Sequence, residues 1–137
     1  MPLTSLDHVN IRTADLATMA AFYTDVMGLR DGERPPFSNP GIWLYCGDTA
    51  AVHLVGRERN PEVTETRIEH FAFKAQGLAE FLALLRENTV AYSVSVVPER
   101  GIRQVNLYDP DGNHIEVQYG AEEEADISPY GELATAV

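Results

Sequence analysis

Four histidines and one glutamate are the residues of this sequence best suited to chemistry. His8, His53, His70 and His114 each lie in a run of alternating polar and apolar residues, and Glu116 follows two positions after His114. Alternate side chains of a β-strand point to opposite faces, so these five are predicted to share the face opposite the apolar one. Because a sheet face in bulk water is usually rich in Lys, Glu and Thr, imidazoles and amides predict the lining of a polar cleft.

A divalent metal ion is the partner that these side chains predict. Neutral imidazoles and a carboxylate suit Fe, Zn, Ni, Mn or Co. His8, His70 and Glu116 supply the two-histidine, one-carboxylate set of non-haem iron oxygenases, and His53 supplies a fourth ligand or a proton carrier. A single histidine on a strand is more often a packing residue, but equivalent positions in a repeat favour a metal site.

Further residues are predicted to contact a small-molecule substrate of such a site. The polar ones on the same face are Asn10, Gln104, Asn106 and His114. Trp43 offers an aromatic wall, although such residues more often serve packing. Arg103, at the start of a strand, either holds a substrate carboxylate or phosphate or forms a surface ion pair. The proline-rich loop 34–40 is either a wall at the mouth of the cleft or a connector.

The elements that must position these residues occur twice in the chain. A strand at 6–12, a helix that Asp15 caps and Gly28 ends, and strands at 30–34, 42–46 and 50–55 form the first copy. The second copy has a strand at 68–74, a helix at 78–87, and strands at 92–97, 103–108 and 114–119, with a turn at 109–112. His70 follows His8 by 62 residues and Glu116 follows His53 by 63. The sequence therefore predicts an α+β protein of two βαβββ modules that enclose a shared space.

Length and composition narrow the class of protein. The 137 residues predict one domain at 1–120, with modules at about 4–57 and 67–120, and an acidic tail at 121–137. A net charge of −11 argues against a nucleic acid partner. The absence of a long apolar run or a signal peptide predicts a cytoplasmic protein with no membrane partner. Cys46, the single cysteine, is expected to be buried.

Four segments carry a family resemblance. They are Asp7-His8-Val9-Asn10-Ile11, Ala21-Phe22-Tyr23 ahead of Met27-Gly28-Leu29, Glu69-His70-Phe71-Ala72-Phe73, and Asp109-Pro110-Asp111-Gly112-Asn113-His114-Ile115-Glu116. With them, residues 6–119 resemble the vicinal oxygen chelate superfamily, which includes glyoxalase I, extradiol dioxygenases, methylmalonyl-CoA epimerase, and fosfomycin and bleomycin resistance proteins.

The resemblance implies a fold, a metal and an assembly. Paired βαβββ modules would form an open, cupped, mixed β-sheet barrel, a glyoxalase-like fold, with a divalent metal inside and commonly as a homodimer. His8, His70 and Glu116 match the positions of metal ligands. His53 stands where glyoxalase I has Glu and the epimerase has Gln, so the resemblance does not extend to a glutathione-dependent glyoxalase or a two-glutamate proton shuttle.

Three functions stay open at this point. In the first, a lyase or isomerase, the metal binds two adjacent oxygens of a small molecule and stabilises an enolate while Glu116 or His53 moves the proton. The second is an Fe(II) extradiol-type dioxygenase, with His53 outside the ligand set. The third is a bleomycin-resistance-like protein that sequesters an aromatic compound through Phe37, Trp43, Tyr45 and Tyr108.

Overall fold

The computed structural model describes residues 2–133 and divides into two compact units, Met1–Glu62 (unit 1) and Val63–Val137 (unit 2). Each unit holds one four-stranded mixed sheet and one helical segment in the order βαβββ. The predicted α+β class and the repeat are confirmed. The last four residues of the predicted acidic tail lie outside the described residues.

Unit 1 is built around a sheet in which the first and last strands are neighbours. Its elements are β1 (Val9–Thr13), α1 (Leu16–Ala21) continuing into a π-helical segment (Phe22–Val26), β2 (Arg30–Gly32), β3 (Gly41–Cys46) and β4 (Thr49–Gly56). The strand order is β1-β4-β3-β2, with β1 parallel to β4 and the other pairs antiparallel. The register aligns Asn10, His53, Trp43 and Gly32 in one row across the four strands.

The helical segment of unit 1 begins as the sequence predicts and ends differently. The Asp15 carboxylate accepts a hydrogen bond from the Thr18 amide at 3.0 Å, which confirms the predicted N-cap. Beyond Ala21 the helix widens to a π-helical turn, in which the Met27 amide donates to the Phe22 carbonyl. The wider turn buries adjacent residues Phe22 and Tyr23 together, which a regular helix with a single apolar stripe does less well.

Unit 2 repeats this plan. Its elements are β5 (Phe71–Lys74), α2 (Leu78–Glu87), β6 (Ser93–Val96), β7 (Arg103–Tyr108) and β8 (His114–Tyr119), in the strand order β5-β8-β7-β6. The register aligns Ala72, Glu116, Asn106 and Ser93 in the row that corresponds to the row of His53 in unit 1. The turn at 109–112 closes with a hydrogen bond from the Gly112 amide to the Asp109 carbonyl at 2.9 Å.

Strand alternation separates the two faces of each sheet. In β4, Val52 and Leu54 are fully buried, and His53 between them points to the other face. In β8, Ile115 and Val117 are buried in the same way and flank Glu116. The polar side chains of the candidate site therefore lie on a face whose reverse is a hydrophobic core.

The acidic tail is more ordered than a solvated appendage. The Glu123 carboxylate accepts hydrogen bonds from the Gly77 and Leu78 amides, at 3.0 and 2.8 Å, at the N-terminus of α2. Tyr130 forms an antiparallel bridge with Tyr92 and stacks on its ring. Because the N-cap residue of α2 is Gly77, which has no side chain to accept a hydrogen bond, a carboxylate from the tail accepts hydrogen bonds from the first amides instead.

Removal of this remote cap is expected to destabilise the protein. Glu123→Ala should lower the free energy of unfolding by about 1–2 kcal/mol, because two helix amides lose their charged acceptor. Glu123→Gln keeps an acceptor oxygen and should lose less. Urea unfolding followed by circular dichroism measures the effect, with exposed Glu124→Ala as the matched control. Equal losses in the Glu123 and Glu124 alanine variants would contradict the capping role.

Cys46 is exposed, so the prediction that it is buried is wrong. It is the last residue of β3, immediately before the turn at Gly47. The β3–β4 register also shifts between Leu44 and Tyr45, which breaks the alternation on which the prediction rested.

Within residues 2–133, no helix has the length and apolar character that crossing a bilayer requires.

Candidate metal centre

His8 and His70 occupy equivalent places in the two units, each one residue before the first strand. The sequence predicted them inside longer strands, but β-pairing begins only at Val9 in unit 1 and at Phe71 in unit 2. Each ring is held by the acidic residue that precedes it. His8 Nδ1 donates to the Asp7 carboxylate at 2.7 Å, and His70 Nδ1 donates to the Glu69 carboxylate.

These acid–histidine pairs have a chemical consequence. A ring that donates its Nδ1 proton to a carboxylate presents the lone pair of Nε2, and metal-binding histidines are commonly oriented in this way. Asp7 and Glu69 are not among the residues that the sequence predicts for the site. The signal was present, because an acid precedes the histidine at both positions of the repeat, 62 residues apart.

His53 lies at the centre of the polar face of unit 1. Its ring stacks between His8, with ring centroids 3.9 Å apart, and Trp43, at 4.1 Å. The residue is only 8% exposed, and its Nε2 has no hydrogen-bond partner among residues 2–133. Burial lowers the pKa of His53, and the nearby charges of His8 and Arg34 act in the same direction. The ring is therefore neutral at neutral pH, with a buried nitrogen that lacks a partner.

Glu116 is the corresponding buried group of unit 2. The residue is 7% exposed, and its Oε2 accepts a hydrogen bond from Gln118 Nε2 at 3.1 Å. His70 Nε2 lies 3.7 Å from the same oxygen, which is too far for a hydrogen bond. Two atoms that each lie about 2.1 Å from one ion can be up to about 4.2 Å apart, so this spacing suits two ligands of a shared metal.

His114 takes part in a hydrogen-bond network around Glu69. Its Nδ1 lies 2.8 Å from Glu69 Oε1, and its Nε2 lies 3.0 Å from Asn106 Oδ1. Hydrogen bonds from His70 and then His114 lower the pKa of Glu69, so its carboxylate stays charged at neutral pH. Ligand atoms of Glu69, His70 and His114 lie within 4.8 Å of one another, which makes this trio an alternative cation site.

The remaining predicted substrate contacts divide between the two sheet faces. Asn10 and Trp43 lie in the row of His53, and Asn106 pairs with Glu116. Gln104 pairs with Gln118 on the face of Glu116, two residues along β7. Arg103 lies on the other face of β7, because it is two residues from buried Val105 and pairs with buried Tyr119. Its guanidinium donates a hydrogen bond to the Gly101 carbonyl. The structure therefore does not bring Arg103 together with Glu116.

Each unit, taken by itself, presents donors of the kinds that divalent metals bind. His53 supplies an unpartnered, buried and neutral imidazole nitrogen. His8 and His70 have their second nitrogen anchored by a carboxylate, and Glu116 supplies a buried carboxylate oxygen. Burying an imidazole nitrogen without a hydrogen-bond partner is costly, and a cation bound to His53 would offset that cost.

The anchoring carboxylates give a direct prediction. Asp7→Ala and Glu69→Ala should each weaken metal affinity by about 10- to 100-fold, because the rings lose their fixed orientation. Competition with a metal-binding dye measures the affinity, and Asp31→Ala, an exposed acid in β2, is the matched control. If affinity is unchanged in both variants, the acid–histidine pairs do not orient metal ligands.

Comparison with known proteins shows the family of the chain. Residues 5–117 match the family model described as the Glyoxalase/Bleomycin resistance protein/Dioxygenase superfamily. The chain is 31% identical over 123 residues to Glyoxylase I 4 of Arabidopsis thaliana, an alignment that covers 84% of this chain and 70% of the relative. It is 27% identical over 126 residues to the metapyrocatechase of Geobacillus stearothermophilus, covering 85% of this chain and 37% of that relative.

A solved structure supports the fold. The glyoxalase family protein from Bacillus anthracis matches with a TM-score of 0.72 at 20% identity, covering 86% of this chain and 96% of that one. At 20% identity this match supports the fold alone. The family model and the Arabidopsis relative match the amino-acid sequence and so support the family. The chain belongs to the Glyoxalase/Bleomycin resistance protein/Dioxygenase superfamily.

Proposed function

We propose that the protein is a metal-dependent lyase or isomerase that acts on a small molecule with two adjacent oxygens. The proposed ligands of the ion are His8, His53, His70 and Glu116. The observation that carries this proposal is the buried, unpartnered Nε2 of a neutral His53, stacked on a histidine whose other nitrogen is anchored by Asp7. A buried nitrogen without a hydrogen-bond partner destabilises the folded protein, and a bound cation would remove that cost.

Each protein group has a distinct task in the proposed reaction. A divalent ion, when bound, supplies Lewis acidity toward a pair of substrate oxygens. Glu116 has two carboxylate oxygens, so it can face the ion with one and take a proton from the carbon beside the substrate carbonyl with the other. Gln118, which donates to Glu116 Oε2, fixes the orientation of that carboxylate. His53 and Glu116 each lie on a strand whose other face packs into a hydrophobic core, and this packing fixes the position of the strand.

Solvent deuterium exchange tests the proposal without knowledge of the natural substrate. The metal-loaded protein is incubated in deuterium oxide with a panel of 2-hydroxy carbonyl compounds and α-keto acids, and NMR follows deuterium uptake at the carbon beside the carbonyl. We expect exchange into at least one class that stops when the metal is chelated. Absence of exchange across the panel with fully loaded protein would refute the lyase or isomerase assignment.

An Fe(II) extradiol-type dioxygenase is the second candidate. The similarity to metapyrocatechase supports it, together with the two-histidine, one-carboxylate set of His8, His70 and Glu116. In this case His53, outside the ligand set, would serve as the acid or base. Oxygen consumption on addition of catechols to iron-loaded protein would favour this candidate over the first. The homodimer and the cytoplasmic location stay predictions.

A further inference from the structure

Arg34 is a cation held in place without an anion. It lies in the proline-rich loop between β2 and β3, and its Nη1 donates to the Asn39 carbonyl at 3.2 Å. Its guanidinium carbon lies 5.0 Å from the centre of the Phe37 ring. On another side it lies against Gly41, where an added Cβ would be only 2.6 Å from Nη2. The Asn39 carbonyl and the Phe37 ring therefore hold the guanidinium in place, and the lack of a side chain at Gly41 leaves space for it.

No acidic side chain among residues 2–133 forms an ion pair with Arg34, and its buried Nε has no hydrogen-bond partner there. A buried guanidinium N–H group without a partner is costly, and an anion bound beside the guanidinium would offset part of that cost through its charge. The structure thus holds an arginine whose partner is not supplied by the described chain.

The neighbourhood of Arg34 connects it to the histidines of unit 1. The Phe37 ring lies 6.2 Å from Trp43, which stacks on His53, which in turn stacks on His8. The charge of Arg34 is also one of the causes that lower the pKa of His53, so the two groups lie within electrostatic reach. The rings of Phe37, Trp43, His53 and His8 therefore form a continuous series that begins at Arg34. A planar apolar part of a substrate could pack against these rings.

We propose that Arg34 is a specificity-determining residue, which binds the carboxylate of a planar, unsaturated or aromatic substrate that lies along Phe37 and Trp43. The assignment rests on the proposed function for the role of His8 and His53, and it adds a substrate class to it. The substrate would carry a carboxylate in addition to the two adjacent oxygens. A guanidinium is suited to this task because its planar N–H groups match a carboxylate in pairs.

The chain offers a built-in probe for the test. Trp43 is the only tryptophan, so its fluorescence reports binding beside Phe37 and His53. Metal-free protein is titrated with benzoate and with uncharged benzamide, and calorimetry gives both affinities. Metal-loaded protein is titrated with 2,3-dihydroxybenzoate and with catechol. Three proteins are compared, namely wild type, Arg34→Met, and Arg30→Met as a charge-matched control whose guanidinium lies over Tyr45.

We expect wild type to prefer each carboxylate ligand over its uncharged counterpart by about tenfold or more, with a change in Trp43 emission. Arg34→Met should lose the preference while its urea unfolding midpoint stays unchanged, and Arg30→Met should keep it. The proposal is overturned if metal-free wild type shows no preference for benzoate, if Arg34→Met retains it, or if Arg30→Met loses it equally. Benzoate preference without any effect of metal on catechol binding would support Arg34 and count against the proposed function.

Discussion

Replacing His8 and His70 together with alanine is expected to abolish binding of a divalent metal. Each ring presents Nε2 because Asp7 and Glu69 hold the opposite nitrogen, so both replacements remove an oriented ligand. The loss should exceed the roughly 100-fold that follows from losing an anchoring carboxylate alone. Mass spectrometry of the purified and the metal-loaded protein, compared with wild type, measures the metal content.

His114→Ala is the control that separates the two possible sites. If the metal is bound by His8, His53, His70 and Glu116, this variant should keep near-stoichiometric metal, because His114 interacts with Glu69 and Asn106 instead. If the ion lies at the cluster of Glu69, His70 and His114, the variant should lose it. Glu116→Ala should lose the metal in the first case and keep it in the second. Metal that survives in the His8, His70 double variant would exclude both sites.

Replacing Glu116 with glutamine is expected to slow deuterium exchange into the responsive substrate by about 10²- to 10⁴-fold, the usual contribution of a positioned base. The amide keeps the size of the side chain and an acceptor oxygen for Gln118, so the buried position should tolerate it. The rate is measured by NMR at saturating metal, with metal content determined on the same sample.

The metal measurement separates the two roles of Glu116. A fully loaded Glu116→Gln protein that exchanges slowly identifies Glu116 as the proton carrier. A fully loaded variant that exchanges within about threefold of wild type contradicts that role. His53→Gln is the companion variant, because His53 is a buried imidazole among the proposed ligands that can also take a proton. A greater loss in that variant would assign the role to His53.

The fold could be predicted from the sequence because its signals are local and repeated. Alternation sends Val52 and Leu54 to the core and His53 to the other face without knowledge of the partner strand. The Asp15 cap is also encoded within one helical turn. The repeat also predicts that His8 and His70 occupy corresponding positions in the two units. Each lies one residue before the first strand of its unit, where β-pairing begins at Val9 and at Phe71.

The sequence by itself thus determined the α+β repeat, the two faces of each sheet and the positions of His53 and Glu116 opposite the buried residues of their strands. Only the tertiary structure decided the partners of the side chains. Glu123 caps a helix that begins 45 residues earlier, and Arg34 folds back over Phe37 beside a row of rings. It also decided that Cys46 is exposed and that Arg103 pairs with buried Tyr119. The physical reason is that alternation has a fixed local period, whereas such contacts depend on strand register and loop path, which distant parts of the chain set together.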